Sequence, residues 1–446
     1  MRGRISRPTR MRGRSKLDLI PLLCVVFSAA LAAWALFGSM STEAMSPLAL
    51  PGKKGADEAV ATAGPLSVPR ALSTKTTPTA HDIESLLVRT LLEVRENRLD
   101  VAMKQIDTLL SLYPTFKLAH AIRGDLLIAR ARPLTMIGGG ASGAPQRQLS
   151  DLRDEARARL LRHLEEMPLD RVPKYLVQFQ PDQRNAVVVD TTKSRLYLFE
   201  NDNGLARYVG DYYISSGKAG AEKNREGDQK TPLGVYFVTA NLPKSQISDF
   251  YGAGAYPISY PNEWDRQLGK DGSGIWLHGV PSDTYSRPPR ASNGCVVLSN
   301  PDIERIGKQL QIGLTPVIIA DNIEWIDPRE LASQRSAMNR QFEDWRRDWE
   351  SISTDRYLHH YSRDFRSGKQ DYAEWAQQKR QVNGQKSWIK VKVSNVSMFA
   401  YPGNENLVVV TFDQDYSSNN LANRMKKRQY WKLNGSEWKI VYEGAA

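Results

Sequence analysis

The spacing of hydrophobic positions changes several times along the chain, and each spacing predicts a different kind of structure. A nearly unbroken apolar run over residues 19–40 follows a polar head. This run is long enough to cross a bilayer at about 1.5 Å per residue. Residues 41–80 lack periodicity and are rich in Ala, Pro, Thr, Ser and Gly, which predicts a disordered tether. Over residues 81–166 the apolar positions recur three and four apart, which predicts helices.

The helical unit predicted over residues 81–166 has the spacing of a small repeat. Ala102, Ile106 and Pro114 fall where a tetratricopeptide-like repeat places small, large and helix-breaking residues. A plain helical hairpin explains the same pattern, so both interpretations stay open. Because one repeat cannot bury its own apolar face, we expect this unit to pack on another part of the chain.

From residue 184 the apolar residues occur in short runs separated by Gly- and Pro-rich turns, the pattern of strands. Asn300 and Pro301 suit the cap and first position of a helix over 301–311. The pattern predicts a mostly β domain, a sandwich or barrel, over residues 184–321. Its strands are predicted over 185–190, 195–199, 208–215, 235–239 and 315–320.

The last segment, residues 331–446, combines amphipathic helices with longer strands. Helices followed by a meander of strands indicate an α+β domain. The helices are predicted over 331–352, 356–365 and 371–382, and the strands over 389–400, 406–416, 425–433 and 438–442.

Charge is concentrated at the start of the chain. Residues 1–18 hold seven Arg or Lys and one Asp, and so supply +6 of the formal net charge of +12. The remainder is only mildly basic, which does not favour nucleic-acid binding. A basic head before the apolar run predicts a single-pass inner-membrane anchor with the bulk of the chain in the periplasm. A cleaved signal peptide, with secretion to the periplasm, is the alternative.

The candidate chemistry centres on a single cysteine. The chain has two cysteines, and Cys24 lies in the apolar run, so Cys295 is alone in the remainder. A lone Cys with a His elsewhere in the fold is a candidate nucleophile and base, and His278 ends a short apolar run. The other interpretation is that Cys295 is a small buried residue before the strand-like residues 296–298.

The turn before the cysteine has the composition of a site. Ser292, Asn293 and Gly294 form a polar, tight turn, and Gly294 lets the backbone bend there. We expect the amides of Gly294 and Cys295 to face a developing oxyanion, and the imidazole of His278 to lower the pKa of the thiol.

His278-Gly279, followed by Ser292-Asn293-Gly294-Cys295-Val296, resembles the signature of the L,D-transpeptidases with a YkuD-type catalytic domain. Residues 227–234, with Thr231-Pro232, and residues 274–279 resemble other motifs of that family. The resemblance covers about residues 185–321. Many members carry Arg or Asn two positions after the Cys, where this chain has Val297.

The resemblance implies a role for each motif residue. Cys295 would be the nucleophile, His278 the base, Gly294 an oxyanion donor, and the carbonyl of Gly279 would orient the imidazole. Substrate contacts would come from the nucleophile turn, from the segment that carries His278, and from an aromatic flap over residues 250–264, although packing explains the flap aromatics equally well. These substrate-contacting residues are Ser292, Asn293, Tyr256, Tyr260 and Trp276.

The implied substrate is a peptidoglycan stem peptide, cleaved at the diaminopimelate–D-Ala bond and transferred to an amine. Hydrolysis by the same fold, as a carboxypeptidase or amidase, is one alternative, and a non-enzymatic wall-binding scaffold is another. Residues 331–446 resemble the cone-shaped NTF2-like accessory domain of some L,D-transpeptidases. That domain and the helical unit are candidate surfaces for protein partners. Nothing in the sequence requires a metal or another cofactor.

Overall fold

Four helices begin the part of the chain that the structure describes. A computed structural model describes residues 80–446, apart from 133–135, 141–142, 166–167, 169, 369 and 404–405. The described residues belong to one compact unit, Lys75–Ala446. The predicted basic head, the apolar run over 19–40 and all of the tether except Ala80 lie outside the described residues. Over the described ranges, no helix combines the length and apolar character needed to cross a membrane.

The four helices form a small bundle with one shared core. They are α1 (Ala80–Arg95), α2 (Leu99–Leu112), α3 (Lys117–Ala129) and α4 (Gln146–Leu164). Helix α2 turns Ala102, Ile106 and Leu109 inward because these residues are spaced three or four apart. Tyr285, from the following domain, packs into the same core. The bundle therefore packs on another part of the chain, as expected for a unit too small to bury its own face.

The central domain is built from short strands, with two five- to eight-residue helices and two single 3₁₀ turns between them. Its strands are β1 (Val172–Pro173), β2 (Asn185–Asp190), β3 (Arg195–Asp202), β4 (Leu205–Tyr213), β5 (Ser216–Gly217), β6 (Gly234–Phe237), β7 (Leu242–Pro243), β8 (Gly254–Pro257), β9 (Trp276–His278), β10 (Arg290–Ser292), β11 (Val296–Val297), β12 (Pro316–Ala320) and β13 (Trp325–Ile326). The helices are α5 (Glu263–Gln267) and α6 (Asn300–Gly307), and the 3₁₀ turns are Lys244–Gln246 and Asp249–Tyr251. A five-stranded sheet has the order β4-β3-β2-β12-β6, and a four-stranded sheet the order β11-β9-β8-β7.

The five-stranded sheet is covered on both faces. Alternate residues of its strands, such as Val187 and Val189 of β2, pack against the four-stranded sheet and α6. The residues between them, such as Val188, pack against the C-terminal domain, where they meet Phe399 and Val409. All six residues of β2 are consequently buried, and the sheet forms the centre of a three-layer arrangement.

The C-terminal domain places helices against a long, curved sheet. Its helices are α7 (Pro328–Glu350), α8 (Thr354–His359) and α9 (Tyr372–Asn383), and its strands are β14 (Tyr361–Ser367), β15 (Gln370–Asp371), β16 (Ile389–Ala400), β17 (Leu407–Ser418), β18 (Ala422–Asn434) and β19 (Glu437–Ala445). The sheet has the order β15-β14-β19-β18-β17-β16. The predicted fold class, helices, then a mostly β domain, then an α+β domain, is confirmed.

One predicted helix of this domain is wrong in its second half. The helix predicted over 356–365 ends at His359, and Tyr361–Ser367 is a strand that pairs in parallel with β19. Tyr361, Ser362 and Phe365 are buried whereas Arg363 and Asp364 are exposed, a pattern that resembles one face of a helix and not the alternation of a regular strand. A register shift between Tyr361 and Arg366 interrupts the strand and gives it this helix-like spacing.

Candidate active site

His278 ends one strand, and Cys295 directly precedes the neighbouring strand. Strands β9 and β11 are parallel, with His278 opposite Val297 and Leu277 opposite Val296. Cys295 lies immediately before β11, two residues from Val297, and therefore on the same side of the strand pair as His278. The fold thus brings together the two residues that the sequence singled out.

The imidazole of His278 is held in one orientation. Its Nδ1 lies 2.7 Å from the carbonyl oxygen of Gly279, the contact that the resemblance implies. A carbonyl only accepts, so Nδ1 carries the proton and donates it, which leaves Nε2 as a free acceptor when the ring is neutral. Burial lowers the pKa of His278 to about 4, and the charge of Arg287 adds to the effect. The ring is accordingly a neutral base at pH 7.

The thiol of Cys295 is partly exposed and free. Its Sγ lies 3.4 Å from the carbonyl oxygen of Gly274. Burial raises the pKa of the thiol, and the amide of Trp276 and the charge of Arg287 only partly offset that effect. The expectation that the imidazole would lower the pKa of Cys295 is not met, because the imidazole of His278 is neutral at pH 7 and burial raises the pKa of the thiol. The resting pair is a thiol beside a neutral imidazole.

The turn before Cys295 requires glycine. Gly294 has a φ of +126°, and a Cβ there would lie 2.7 Å from the carbonyl oxygen of Lys230. The hydroxyl of Ser292 donates to the carbonyl of Cys295 at 2.6 Å and accepts from the amide of Gly294 at 3.0 Å. Ser292 is buried and holds the turn closed, so its predicted contact with substrate is corrected to a bracing role.

The same hydrogen bonds change the expected oxyanion donors. The amide of Gly294 is occupied by Ser292, so Gly294 does not present a free N–H to an oxyanion. The amide of Cys295 makes no hydrogen bond among the described residues. The sequence could not show which of the two amides is free. Whether the hydroxyl of Ser292 binds the amide of Gly294 depends on the side-chain rotamer of Ser292.

Thr231 connects the upstream motif to the nucleophile turn. It is fully buried, donates its hydroxyl to the carbonyl of Gly294 at 2.9 Å and accepts from the amide of Gly217 at 2.9 Å. The sequence marked Thr231 by motif resemblance only. The structure gives it a physical role, which is to hold Gly294 and hence Cys295 in place.

Asn300 braces the turn that follows His278. Its Oδ1 accepts from the amides of Ala253 and Val280, and its Nδ2 donates to the carbonyl of Val280 at 2.9 Å. The predicted helix cap at Asn300 is therefore wrong. Ser299 caps α6 by accepting from the amide of Asp302.

Two of the predicted flap residues belong to the core. Tyr256 pairs with Leu277, on the face of β9 away from His278, and is buried beneath α6. Tyr260 is buried and donates its hydroxyl to the carbonyl of Asp271 at 2.9 Å. The expectation that these tyrosines contact substrate is corrected, because the odd–even alternation of β8 turns Tyr256 inward.

Other aromatics do lie beside the pair. Trp276 is half-buried on the His278 face, and its ring centroid is 4.6 Å from that of Tyr251. Phe250 is half-exposed, with its ring centroid 6.1 Å from that of His278. Asn293 is exposed, and its Oδ1 accepts from Lys218 at 3.2 Å. Phe250 and Tyr251 were missed as site residues, although they stand at the start of the aromatic segment that the sequence marked.

No cation occupies the position two residues after Cys295. Val297 is buried, and its amide and carbonyl both pair with Ser215. The positive charge that acts on both Cys295 and His278 comes instead from Arg287, in the loop between β9 and β10. Among the described residues, no group of three or more His, Cys, Asp or Glu side chains could hold a metal ion.

Two parts of the chain match known protein families. Residues 184–319 match the model of the L,D-transpeptidase catalytic domain (YkuD), and residues 337–444 match that of the Cds6 C-terminal NTF2-like domain. The comparison with curated proteins gave no significant match.

Two solved structures resemble the chain over most of their own length. Bd1075 from Bdellovibrio bacteriovorus is 28% identical with a TM-score of 0.55, over 62% of this chain and 98% of that one. The helical cell shape determining protein Pgp2 from Campylobacter jejuni is 25% identical with a TM-score of 0.53, over 64% of this chain and 97% of that one. Residues 184–319 of the chain therefore belong to the YkuD family of L,D-transpeptidase catalytic domains, and an NTF2-like domain follows them.

Proposed function

We propose that the protein is a peptidoglycan L,D-transpeptidase with Cys295 as nucleophile and His278 as general base. The observation that carries the proposal is the arrangement of the pair within a YkuD-type domain. His278 donates through Nδ1 to Gly279, which leaves Nε2 free on the side of the strands where Cys295 lies. A neutral base beside a protonated thiol suits a mechanism in which proton transfer accompanies attack.

In the acylation step, Nε2 of His278 takes the thiol proton as Sγ of Cys295 attacks the carbonyl carbon of the diaminopimelate–D-Ala bond. The amide of Cys295 donates to the resulting oxyanion, since it has no other partner among the described residues. When the intermediate collapses, the carbon–nitrogen bond breaks and His278 returns the proton to the departing D-Ala amine. The product is a thioester on Cys295.

In the second step an acceptor resolves the thioester. An amine of a neighbouring stem attacks the thioester carbonyl, His278 takes its proton, and the thiolate leaves with that proton as the thiol. The product is a 3→3 crosslink, or an exchanged D-amino acid when the amine belongs to a free amino acid. Water in place of the amine gives carboxypeptidase activity. Pgp2 is named as a cell shape determinant, which supports a role for the product in wall architecture.

The test uses the full-length chain with disaccharide-tetrapeptide muropeptides, read by mass spectrometry, with Cys295→Ala as control. A tetra–tri dimer that has lost one D-Ala, and that is absent with the variant, would establish the transpeptidase. Tripeptide monomer alone would identify a hydrolase. If wild type and variant both leave the tetrapeptide untouched, the enzyme proposal fails and a wall-binding scaffold takes its place.

The proposed substrate also bears on location. We propose that residues 19–40 anchor the chain in the inner membrane and leave the remainder in the periplasm, where stem peptides occur. The basic head and the length of the apolar run support this topology. Membrane fractionation tests it, since recovery of the intact chain in the periplasmic soluble fraction would favour a cleaved signal peptide.

A further inference from the structure

The guanidinium of Arg287 lies beside the candidate site without an anionic partner. Its central carbon is 4.9 Å from the ring centroid of Phe250, which is 6.1 Å from the ring of His278. The side chain is half-buried, yet among the described residues it makes no ion pair and no hydrogen bond through its guanidinium. Burial lowers the pKa of Arg287, which is the mark of a cation that has lost water without gaining an anion.

Two lysines near the nucleophile differ from Arg287 in having polar partners. Lys223 pairs with Asp228 at 2.8 Å, and Lys218 donates to Asn293 at 3.2 Å. Arg287 differs from exposed Lys218 by its burial, and from Lys223 by having no carboxylate partner among the described residues. A planar guanidinium with free donors is the side chain best suited to hold a carboxylate.

The loop that carries Arg287 is fixed from outside the central domain. Tyr285, two residues earlier, is buried in the core of the helical bundle, with its ring centroid 4.7 Å from that of Tyr113 and 4.4 Å from that of Phe116. Ser286 donates its hydroxyl to Glu155 of α4 at 2.5 Å. Two consecutive residues before Arg287 are therefore attached to the bundle.

A series of buried contacts also connects Glu155 of the bundle to the backbone of Arg287. Glu155 pairs with Arg159 at 3.0 Å, and both side chains are almost fully buried. The guanidinium of Arg159 covers the ring of Tyr213 at 3.9 Å. The hydroxyl of Tyr213 donates to the backbone carbonyl of Arg287 at 2.9 Å. Each of the residues 285–287 is consequently held by a separate contact.

We propose that Arg287 binds the carboxylate of the donor stem next to the scissile bond, and that the helical bundle holds Arg287 there through Tyr285 and Ser286. This inference rests on the proposed function for the identity of the donor. In a tetrapeptide the terminal D-Ala carboxylate is three bonds from the attacked carbonyl carbon, so a cation near the nucleophile is within its reach. Arg287 would then supply an anchoring charge that Val297 cannot.

The first test needs no knowledge of the substrate. Iodoacetate and iodoacetamide both alkylate a cysteine by displacing iodide, and they differ by a carboxylate. We expect Arg287→Gln to lower the iodoacetate-to-iodoacetamide rate ratio at Cys295 roughly three- to tenfold. Arg290→Gln, which removes the same charge from an exposed position at the start of β10, three residues further along the chain, is the matched control. An unchanged ratio in Arg287→Gln would overturn the proposal.

The second test identifies the carboxylate. Wild type and Arg287→Gln are compared on tetrapeptide donors with a free terminus, with D-alaninamide at the terminus, and with the diaminopimelate side-chain carboxylate amidated. We expect the variant to lose about 10- to 100-fold in kcat/KM on the free donor and little on the D-alaninamide donor. If the variant instead loses the same factor on the free and the D-alaninamide donors and loses nothing on the donor with the amidated diaminopimelate carboxylate, Arg287 binds the diaminopimelate carboxylate. Equal losses on all three would overturn carboxylate binding.

The two proposals fail in different ways. If the wild type turns over none of the three donors while the alkylation ratio still depends on Arg287, the proposed function fails and the anion site stands. If the wild type is active and both the alkylation ratio and the donor preference ignore Arg287, the proposed function stands and this inference fails.

The positioning role of the bundle has its own test. Ser286→Ala removes the hydroxyl that reaches Glu155. Thr284→Ala removes an exposed hydroxyl of the same loop whose one partner in the described part of the chain is its neighbour Asp283. We expect Ser286→Ala, but not Thr284→Ala, to move the alkylation ratio towards that of Arg287→Gln. Wild-type ratios in both variants would show that the bundle does not position Arg287.

Discussion

Replacing Thr231 by valine removes the hydroxyl that ties the upstream motif to the nucleophile turn and keeps the shape of the side chain. Thr231 is fully buried, and its hydroxyl makes two hydrogen bonds of 2.9 Å, one from the amide of Gly217 and one to the carbonyl of Gly294. Neither backbone group has another hydrogen-bond partner among the described residues outside its strand. In Thr231→Val both groups are buried without water, and each costs about 1–3 kcal/mol.

We therefore expect Thr231→Val to lower the free energy of unfolding by about 2–6 kcal/mol, with a fall in Tm of roughly 3–8 °C. The matched control is Thr231→Ser, which keeps the hydroxyl and loses one methyl group, at about 1 kcal/mol. Thermal unfolding monitored by circular dichroism measures both variants. The rate of Cys295 alkylation by iodoacetamide, measured on folded protein, reports whether the turn has moved.

The reasoning predicts a difference between the two variants, since only valine removes the hydrogen bonds. If Thr231→Val and Thr231→Ser unfold at the same temperature and alkylate at the same rate, the hydroxyl does not hold the turn. A stability loss in Thr231→Val with an unchanged alkylation rate would mean that Thr231 supports the fold but not the geometry of Cys295.

Three further predictions concern His278, Asn300 and Tyr260. Because the pKa of His278 is about 4 when folded and about 6.5 when unfolded, the folded state binds fewer protons between these values. Its contribution is fully present above about pH 6.5, and about 3 kcal/mol of stability is lost as the pH falls towards 4. Denaturant titrations at pH 4, 5 and 7 should show that the free energy of unfolding depends less on pH in His278→Gln than in the wild type. An equal pH dependence in both proteins would contradict the argument. Asn300→Ala removes three hydrogen bonds beside the turn after His278. It should lower the free energy of unfolding by about 2–4 kcal/mol and also lower kcat, as measured by denaturant unfolding and by turnover. A fully active variant would show that Asn300 does not support the site. Tyr260→Phe should cost about 1 kcal/mol and leave KM unchanged, because Tyr260 is a core residue, and a raised KM would restore it to the substrate groove.

The sequence predicted best where one local pattern decides the structure. The strand over 185–190 carries three consecutive valines and is buried on both faces, and it forms as predicted. The helix predicted over 356–365 is wrong in its second half, because the register shift in β14 produces a helix-like pattern in which Tyr361, Ser362 and Phe365 are buried and the two residues between them are exposed. Sequence spacing alone cannot distinguish a helix face from a strand with a register shift.

At the candidate site too, the sequence predicted the features that depend on residue type and local motif, and missed those that depend on rotamers and distant contacts. His278 and Cys295 were identified from residue type and motif, and the strand register places them side by side. The competition of Ser292 for the amide of Gly294 depends on a rotamer, which no sequence pattern encodes. Arg287 could not be identified, because its placement depends on contacts between a loop and a helix more than 100 residues away in the chain, such as Ser286 with Glu155.

The five-stranded sheet is covered on both faces, and one of the covers is the C-terminal domain. This limits where the chain can be cut into separate fragments and where recombination can exchange its domains. A fragment ending near residue 321 would leave an apolar surface around Val188 open to water, and the C-terminal domain alone would expose Phe399 and Val409. Glu263 of α5 would also lose its partners Arg428 and Tyr430. Recombination at this boundary would therefore yield two aggregation-prone pieces, unless a foreign partner brought a matching face. We expect the two domains to be inherited together, with substitutions on one face compensated on the other.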